Sequence, residues 1–315
     1  MFKNNISILI PTHNDACTDL VHDLKIQADR IVAQTSGNFA YEIIVADDGS
    51  TDMDVVKQNN DINSMEHCRY IRRKQNVGRA QIRNFLVSQS HGAYILFVDS
   101  DLFVNDSHYL EKYITAEDYP VIYGGTIIGG EPDKLKGNLR YIYEKKAEAA
   151  HRAKYRALKP NKEISVCNTF VQRDIAVAHP FDNRIKVYGY EDVLWGKRLY
   201  ESNIQIFHLE NPMKINVFED NAIFLKKTEE SLHALHDFQT DLHGYSNIGN
   251  TADKLCRLIP KSIFVFWHKI MGRLEKQNLL SHHPNLTIFK LYKLGYYLSL
   301  YTQKEEKRQH PTKTI

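Results

Sequence analysis

Apolar residues in the first hundred positions fall into short runs separated by longer amphipathic stretches. Ile6-Ser7-Ile8-Leu9-Ile10 has the pattern of a buried strand, stopped by Pro11. From about Asp15 to Thr35, Leu20, Leu24, Ile31 and Val32 recur near helical spacing, and Gly37-Asn38 ends the helix this predicts. Tyr41 to Ala46 predicts a second strand, and Thr51-Asp52 caps a short helix. Cys68 to Ile71 predicts a third strand, Gly78 to Ser90 a helix and Tyr94 to Val98 a fourth strand. Alternation at this pitch predicts an α/β fold, a mostly parallel sheet flanked by helices.

Beyond this the pattern loosens. Gly124-Gly125 and Gly129-Gly130 flank a short apolar run, predicting a close-packed strand or turn. Arg140 to Leu158 predicts a single charged helix, stopped at Lys159-Pro160-Asn161-Lys162. Glu191 to Tyr200 predicts another, opened by a Gly189-Tyr190 turn, and from Thr228 onward the chain reads as mostly helical.

Composition adds few constraints: 315 residues with 43% hydrophobic and 25% charged suit one large core or a folded domain with an appendage, and disorder does not fit. Charge changes the picture more. From Lys254 to Ile315 there are 12 Lys/Arg against 3 acids, so the remainder holds 29 basic and 35 acidic groups. A basic tail follows an acidic body. Cys17, Cys68, Cys167 and Cys256 lie far apart without a CxxC pair, which predicts reduced thiols rather than a zinc site or disulfides. With neither a signal-peptide pattern nor a run of roughly 18 apolar residues, the expected compartment is the cytoplasm.

In parallel sheets of this kind ligands bind beyond the carboxyl ends of the strands. Three polar clusters sit there: Thr12-His13-Asn14-Asp15, Asp47-Asp48-Gly49-Ser50 and Asp99-Ser100-Asp101. Acids at i and i+2 after a buried strand suit a hard divalent ion that shares substrate phosphates, although such pairs also occur in plain solvated loops. Asp47-Asp48 precedes Gly49 in what is at least a strand-to-helix turn, where one acid can accept from a base N–H and the other from a ribose hydroxyl or a structural partner. Gly78 opens a helix on which Arg79 and Arg83 share a face, toward a diphosphate or toward solvent. Glu191-Asp192 at a helix start complements the macrodipole and offers a general base, with Asp192 preferred and Glu191 as its acceptor-orienting neighbour.

Taken in order, Ile8-Leu9-Ile10-Pro11-Thr12-His13-Asn14, Ile43 to Asp52, Asn76-Val77-Gly78 and Phe97 to Asp101 resemble the family 2 glycosyltransferases of the GT-A fold, from Ile6 to about Glu230. That resemblance implies a Rossmann-like GT-A domain over 1–230, with a nucleotide-binding half over about 1–101 and an acceptor half over about 102–230. A basic helical C-terminal extension would fill 231–315. The activity implied is inverting transfer from a nucleotide-sugar, UDP-linked by expectation, to a hydroxyl of a glycan or lipid-linked acceptor in cell-surface polysaccharide synthesis. Pro11, Thr12, His13 and Asn14 would border the nucleotide, Asp48 would read the base, and Gly78 and Arg83 would approach the phosphates. Asp99 and Ser100 would lie by the ribose or donor sugar, Asp101 would ligate a divalent cation (Mg²⁺ or Mn²⁺), and Asp192 would be the catalytic base. Asn168 and Glu191 would contact the acceptor.

The family often carries a metal-ligating histidine where this chain has Ile215, and His208 is out of register. Water and diphosphate would then complete the shell, or metal dependence is weakened. A non-catalytic sugar-nucleotide-binding subunit is the alternative from another class. A nucleotidyltransferase would need a Gly-rich basic loop where Pro11 to Asp15 stands. In the tail, Pro260 to Ile270 and Phe289 to Leu298 interleave basic and aromatic residues. Peripheral contact with the inner face of an anionic membrane is one reading, and packing on the catalytic domain is the other. No nucleic-acid recognition motif is present.

Overall fold

A computed structural model describes residues 2–309, with side chains to residue 301; the last six positions of the expected 231–315 extension lie outside the described residues. The chain forms two compact units. One runs to Gly130 and adds Ala147–Lys186 and Glu191–Val217. The other gathers Glu131–Lys146, Val187–Tyr190 and the chain from Phe218. The structural boundary therefore differs from a single cut at 230.

The first unit is built on a seven-stranded sheet. Its strands are β1 (Asn5–Thr12), β2 (Ala40–Asp47), β3 (Cys68–Arg72), β4 (Tyr94–Val98), β6 (Val121–Tyr123), β8 (Asn168–Gln172) and β9 (Ile206–His208). They lie in the order β3-β2-β1-β4-β8-β6-β9. The β3, β2, β1 and β4 strands run parallel, β8 is antiparallel to both neighbours, and β9 is parallel to β6. A small second sheet joins β5 (Leu102–Phe103), β10 (Met213–Ile215) and β7 (Thr126–Ile128) in the order β5-β10-β7.

Around the large sheet lie α1 (Thr18–Gln34), α2 (Met53–Asn60), α3 (Arg79–Gln89), α4 (Tyr109–Thr115), α7 (Ala153–Arg156), α8 (Arg173–Ala178) and α9 (Glu191–Glu201). The apolar runs that predict strands are the ones that vanish from solvent: Ile8, Leu9, Ile10, Ile43 to Ala46 and Ile95 to Val98 are all fully buried. Strands covered on both faces need such continuous apolar runs.

Three local expectations give way to tertiary context. Pro11 does not stop β1, which continues to Thr12 beside β2. Pairing with β4 ends at Leu9, so the missing N–H of Pro11 costs no ladder bond on that side. The first helix starts at Thr18 rather than Asp15, because Asn59 holds the loop: its Oδ1 accepts from Cys17 N and its Nδ2 donates to Asp15 O. The charged segment from Arg140 is not one helix. After α6 (Leu139–Ala147) it tightens to a 3₁₀ turn at Glu148–His151, where the Glu148 carboxylate accepts from Ile128 N, before α7.

The second unit contains α5 (Pro132–Leu135), α6, α10 (Asn221–Asp237), α11 (Asn247–Cys256), α12 (Lys261–Leu279) and α13 (Leu286–Gln309). Its core joins Leu139, Leu225, Leu279, Phe289 and Tyr292. Helical pattern is legible there from Thr228, but α10 already begins at Asn221, capped by Asp220 on Ile223 N.

Candidate active site

Strand order places β1 between β2 and β4, with the chain leaving β1 toward β2 and β3 and later returning to β4. Such a switch point opens at the carboxyl strand ends, and two of the polar clusters meet there. Asn14 takes a left-handed conformation (φ 53°) and its Oδ1 accepts from Thr51 N and Asp52 N, while its own N–H donates to Ser50 Oγ. Exposed His13 donates from Nδ1 to the Asp48 carbonyl at 3.1 Å. Thr12 is buried, its hydroxyl donating to Asp15 O.

The two adjacent acids of the second cluster work as braces. Asp47 accepts from Ser50 N and from the Tyr70 hydroxyl. Asp48 divides its oxygens between Val77 N and Gly78 N, both at 2.9 Å. Burial still raises the Asp48 carboxyl, only partly offset by those two N–H groups. Gly49 and Gly78 are required here. Both have positive φ, and a Cβ would lie 2.6 Å from Asn76 N at the first and 2.7 Å from Lys186 O at the second.

Gly78 delivers the chain into α3, whose first two turns carry Arg79 and Arg83. Arg83 is 1% exposed and surrounded by carboxylates. Its Nη2 donates to Asp99 Oδ1 at 3.0 Å, and its Nη1 to Glu191 Oε1 and Asp192 Oδ1, both at 3.1 Å. Arg79 stands 3.7 Å from the other Asp99 oxygen. A buried guanidinium must be compensated in this way, and a planar fork can bond several oxygens at once.

Asp192 is further fixed by Oδ2, which accepts from Ser165 Oγ and Val166 N at 3.0 Å each. Burial pushes its carboxyl up to about 6; Arg83 opposes this, while Glu191 and Asp99 add to it. Asp99 goes the other way. Burial alone would raise it, but Arg83 and Arg79 outweigh that and hold it below the usual carboxylate range. Acid–base chemistry requires carboxylates driven apart in this way, and buried ion-pair networks also produce them.

The sequence profile described as "Glycosyl transferase family 2" matches residues 7–177, which contain both loops, the Arg83 helix and Asp99-Ser100-Asp101. The chain belongs to this family of glycosyltransferases. Among curated proteins it is 25% identical over 211 residues to the glycosyltransferase AglE of Haloferax volcanii, covering 64% of this chain and 63% of that one. It is 37% identical over 109 residues to a poly(ribitol-phosphate) beta-glucosyltransferase of Bacillus spizizenii, covering 34% of this chain and 16% of that one. The matches thus span less than two thirds of either relative. Among solved structures, mannosyltransferase PcManGT from Pyrobaculum calidifontis, determined with GDP-Man and Mn²⁺, aligns over 99% of this chain and 89% of its own at 12% identity, with a TM-score of 0.57. That likeness and the strand order give the glycosyltransferase its GT-A fold.

Several expected contacts are placed otherwise. Arg83 does not face a diphosphate: its guanidinium is enclosed by the three carboxylates. Each Asp48 oxygen accepts one N–H of the α3 turn and keeps a second acceptor position, and His13 is the exposed side chain beside it. Glu191 is 4% exposed, so it braces Arg83 rather than presenting itself to an acceptor. Asn168 is fully buried. Its Oδ1 accepts from the Tyr109 and Tyr113 hydroxyls, and its Nδ2 donates to Gly125 O and Asn211 O. All four of its hydrogen-bonding positions are used, and it supports the sheet from within. Sequence reading missed Ser165 and the Val166 N–H. Their only signal was proximity to β8, which carries no chemistry of its own.

Among the described residues no three His, Cys, Asp or Glu side chains stand together as a metal site. Ile215 pairs opposite Leu102, next to Asp101, and supplies no ligand there. His208 accepts from Arg156 Nε and donates to Pro160 O, and burial lowers it to about 4, aided by the Arg156 charge. Both of its ring nitrogens are thus engaged inside the sheet unit. Asp99 has one oxygen on Arg83 and the other 3.7 Å from Arg79, so the donor that fits a divalent cation is partly exposed Asp101, a hard oxygen ligand whose partners in the shell would be phosphate and water.

Proposed function

We propose that this glycosyltransferase moves a sugar with inversion from a nucleotide-sugar, UDP-linked by preference, to a hydroxyl of a glycan or lipid-linked acceptor in cell-surface polysaccharide synthesis. The observation that carries the reading is Asp192: anchored through three donors, 18% exposed at its side chain, and raised toward neutral pH. A base is most effective when its pKa lies near the working pH. Asp192 removes the proton of the attacking hydroxyl, while Arg83 keeps the carboxylate aimed and limits its pKa.

On the donor side Pro11 to Asn14 border the nucleotide, with the exposed His13 ring against the base. Gly78 and Arg79 meet the diphosphate at the start of α3, where N–H groups and a cationic side chain favour an anion. Asp99 and Ser100 flank the donor sugar. Asp101 would hold Mg²⁺ or Mn²⁺, which when bound supplies positive charge to offset that of the departing diphosphate. The two similar bacterial and archaeal proteins named above are themselves glycosyltransferases, which supports the reaction class. Incubating the chain with UDP-, GDP- and dTDP-sugars and an acceptor series, and reading the product's anomeric configuration by NMR, tests the reading. Inverted product is expected; retained configuration would rule out single displacement through Asp192.

A further inference from the structure

The helical unit carries a surface its own core does not use. Along α12, Ile263, Phe266, Trp267, Ile270 and Leu274 are 50–65% exposed. At about 100° per residue these five fall within an arc of about 100°. The buried positions of the same helix, Gly272, Glu275 and Leu279, centre roughly 150° away round it. α12 thus has a finished inner face and a second, apolar outer face.

The inner face is closely fitted. His268 packs edge-on against Tyr292 and Tyr296. A Cβ at Gly272 or Gly295 would come 3.0 Å or 2.9 Å from its ring or stem. Trp267 Nε1 donates to buried Glu275 at 3.1 Å, which fixes one edge of the indole while leaving half the residue in solvent. The two basic–aromatic segments of the tail therefore part company. In α13, Phe289, Tyr292, Tyr297 and Leu298 turn inward, whereas in α12 the large apolar side chains stay outside.

Charge decides what fits this face. From Lys254 to Leu280 the basic residues are Lys254, Arg257, Lys261, Lys269, Arg273 and Lys276, and the one acid, Glu275, is buried. Lys269 and Arg273 are exposed along one border of the stripe. Two copies meeting through this face would oppose like charges, and protein interfaces deplete lysine at their centres. An anionic bilayer instead accepts apolar side chains and attracts the flanking cations. No helix among the described residues is long and apolar enough to cross a membrane, so the contact is in the interfacial plane.

We infer that the outer face of α12 is a docking surface for an anionic lipid bilayer, with Phe266, Trp267 and Ile270 entering the headgroup boundary and Lys269 and Arg273 on the lipid charges. This holds whatever sugar the sheet unit transfers.

The two tryptophans make it directly readable. Trp195 is buried in the sheet unit and Trp267 is exposed. The full chain is mixed with vesicles of phosphatidylcholine with or without phosphatidylglycerol, and flotation and tryptophan emission are recorded. Flotation and a blue shift are expected with phosphatidylglycerol alone, weakening with salt. Trp267→Phe keeps flotation and loses the blue shift. Lys269→Gln and Arg273→Gln each lower the partition coefficient about fivefold, and Phe266→Glu with Ile270→Glu abolishes flotation. Wild-type chain that stays off phosphatidylglycerol vesicles overturns the inference, as does binding indifferent to these substitutions. So does dimerisation in light scattering that the Phe266→Glu, Ile270→Glu chain loses, which would assign the stripe to a second copy.

Discussion

In the sheet unit Arg83 is sealed among Asp99, Glu191 and Asp192, whereas in the helical unit Lys269 and Arg273 stand in solvent beside an apolar stripe. The same kind of side chain does different work in the two places. Enclosure converts the guanidinium into a fixed point that sets the geometry and protonation of its partners. Exposure leaves the α12 cations weakly coupled to the fold and available to an outside surface. Burial, more than charge count, separates the chemistry of one region from the recognition proposed for the other.

That contrast is broken most severely at Arg83. Arg83→Met leaves three carboxylates without their shared partner, and a loss of about 3–5 kcal/mol in unfolding free energy is expected. Denaturant melts at pH 7.5 and pH 5 check it. The loss shrinks at the lower pH, where the abandoned carboxylates can take up protons. An equal effect from Lys269→Gln would erase the distinction between the two regions.

A smaller effect comes from pH. With Asp192 as the proposed base and its carboxyl at about 6, the rate is expected to fall roughly tenfold between pH 7.5 and pH 5. Stability responds in the opposite sense for this group. Its folded pKa lies above the unfolded value, so its contribution is fully present below about pH 4 and is lost as pH rises through about 6. Asp99, held below its usual range, contributes stability above the unfolded pKa and loses it as acid titrates the folded state.

Ser165→Ala sharpens the same point. Removing a hydroxyl that donates to the ionised Asp192 carboxylate moves the acid limb of the pH–rate profile upward, by about one pH unit. A Ser165 that served packing alone would change the melting point and leave the profile in place. On the helical side, Ile270→Gln alters unfolding free energy by less than about 0.5 kcal/mol, as for an exposed side chain outside any core.

Much of the fold was legible because buried parallel strands write themselves as apolar runs, and the ligand-facing edge follows from where those runs stop. Asn14, Gly49 and Gly78 could be placed on that edge from sequence alone. The Arg83 cluster could not. Its partners Glu191 and Asp192 lie 108 and 109 positions away, and nothing local says that a guanidinium on α3 is enclosed rather than offered to a ligand. Asn168 was misassigned for a related reason: a polar side chain near a site looks like a contact until the Tyr109 and Tyr113 hydroxyls are seen to occupy it. The break after Ala147 also depends on a distant group, the Ile128 N–H that draws Glu148 aside. Charged helical periodicity does not encode such a competitor.

The most direct test of the central claim is turnover and donor binding by Asp192→Asn, an amide that keeps the shape of the carboxylate and cannot accept the acceptor's proton. Transfer should fall by about 10² to 10⁴, with nucleotide-sugar affinity by calorimetry retained and a melting temperature at pH 7.5 no lower than that of the parent chain. Transfer at the parental rate by this variant would remove Asp192 from the role of base.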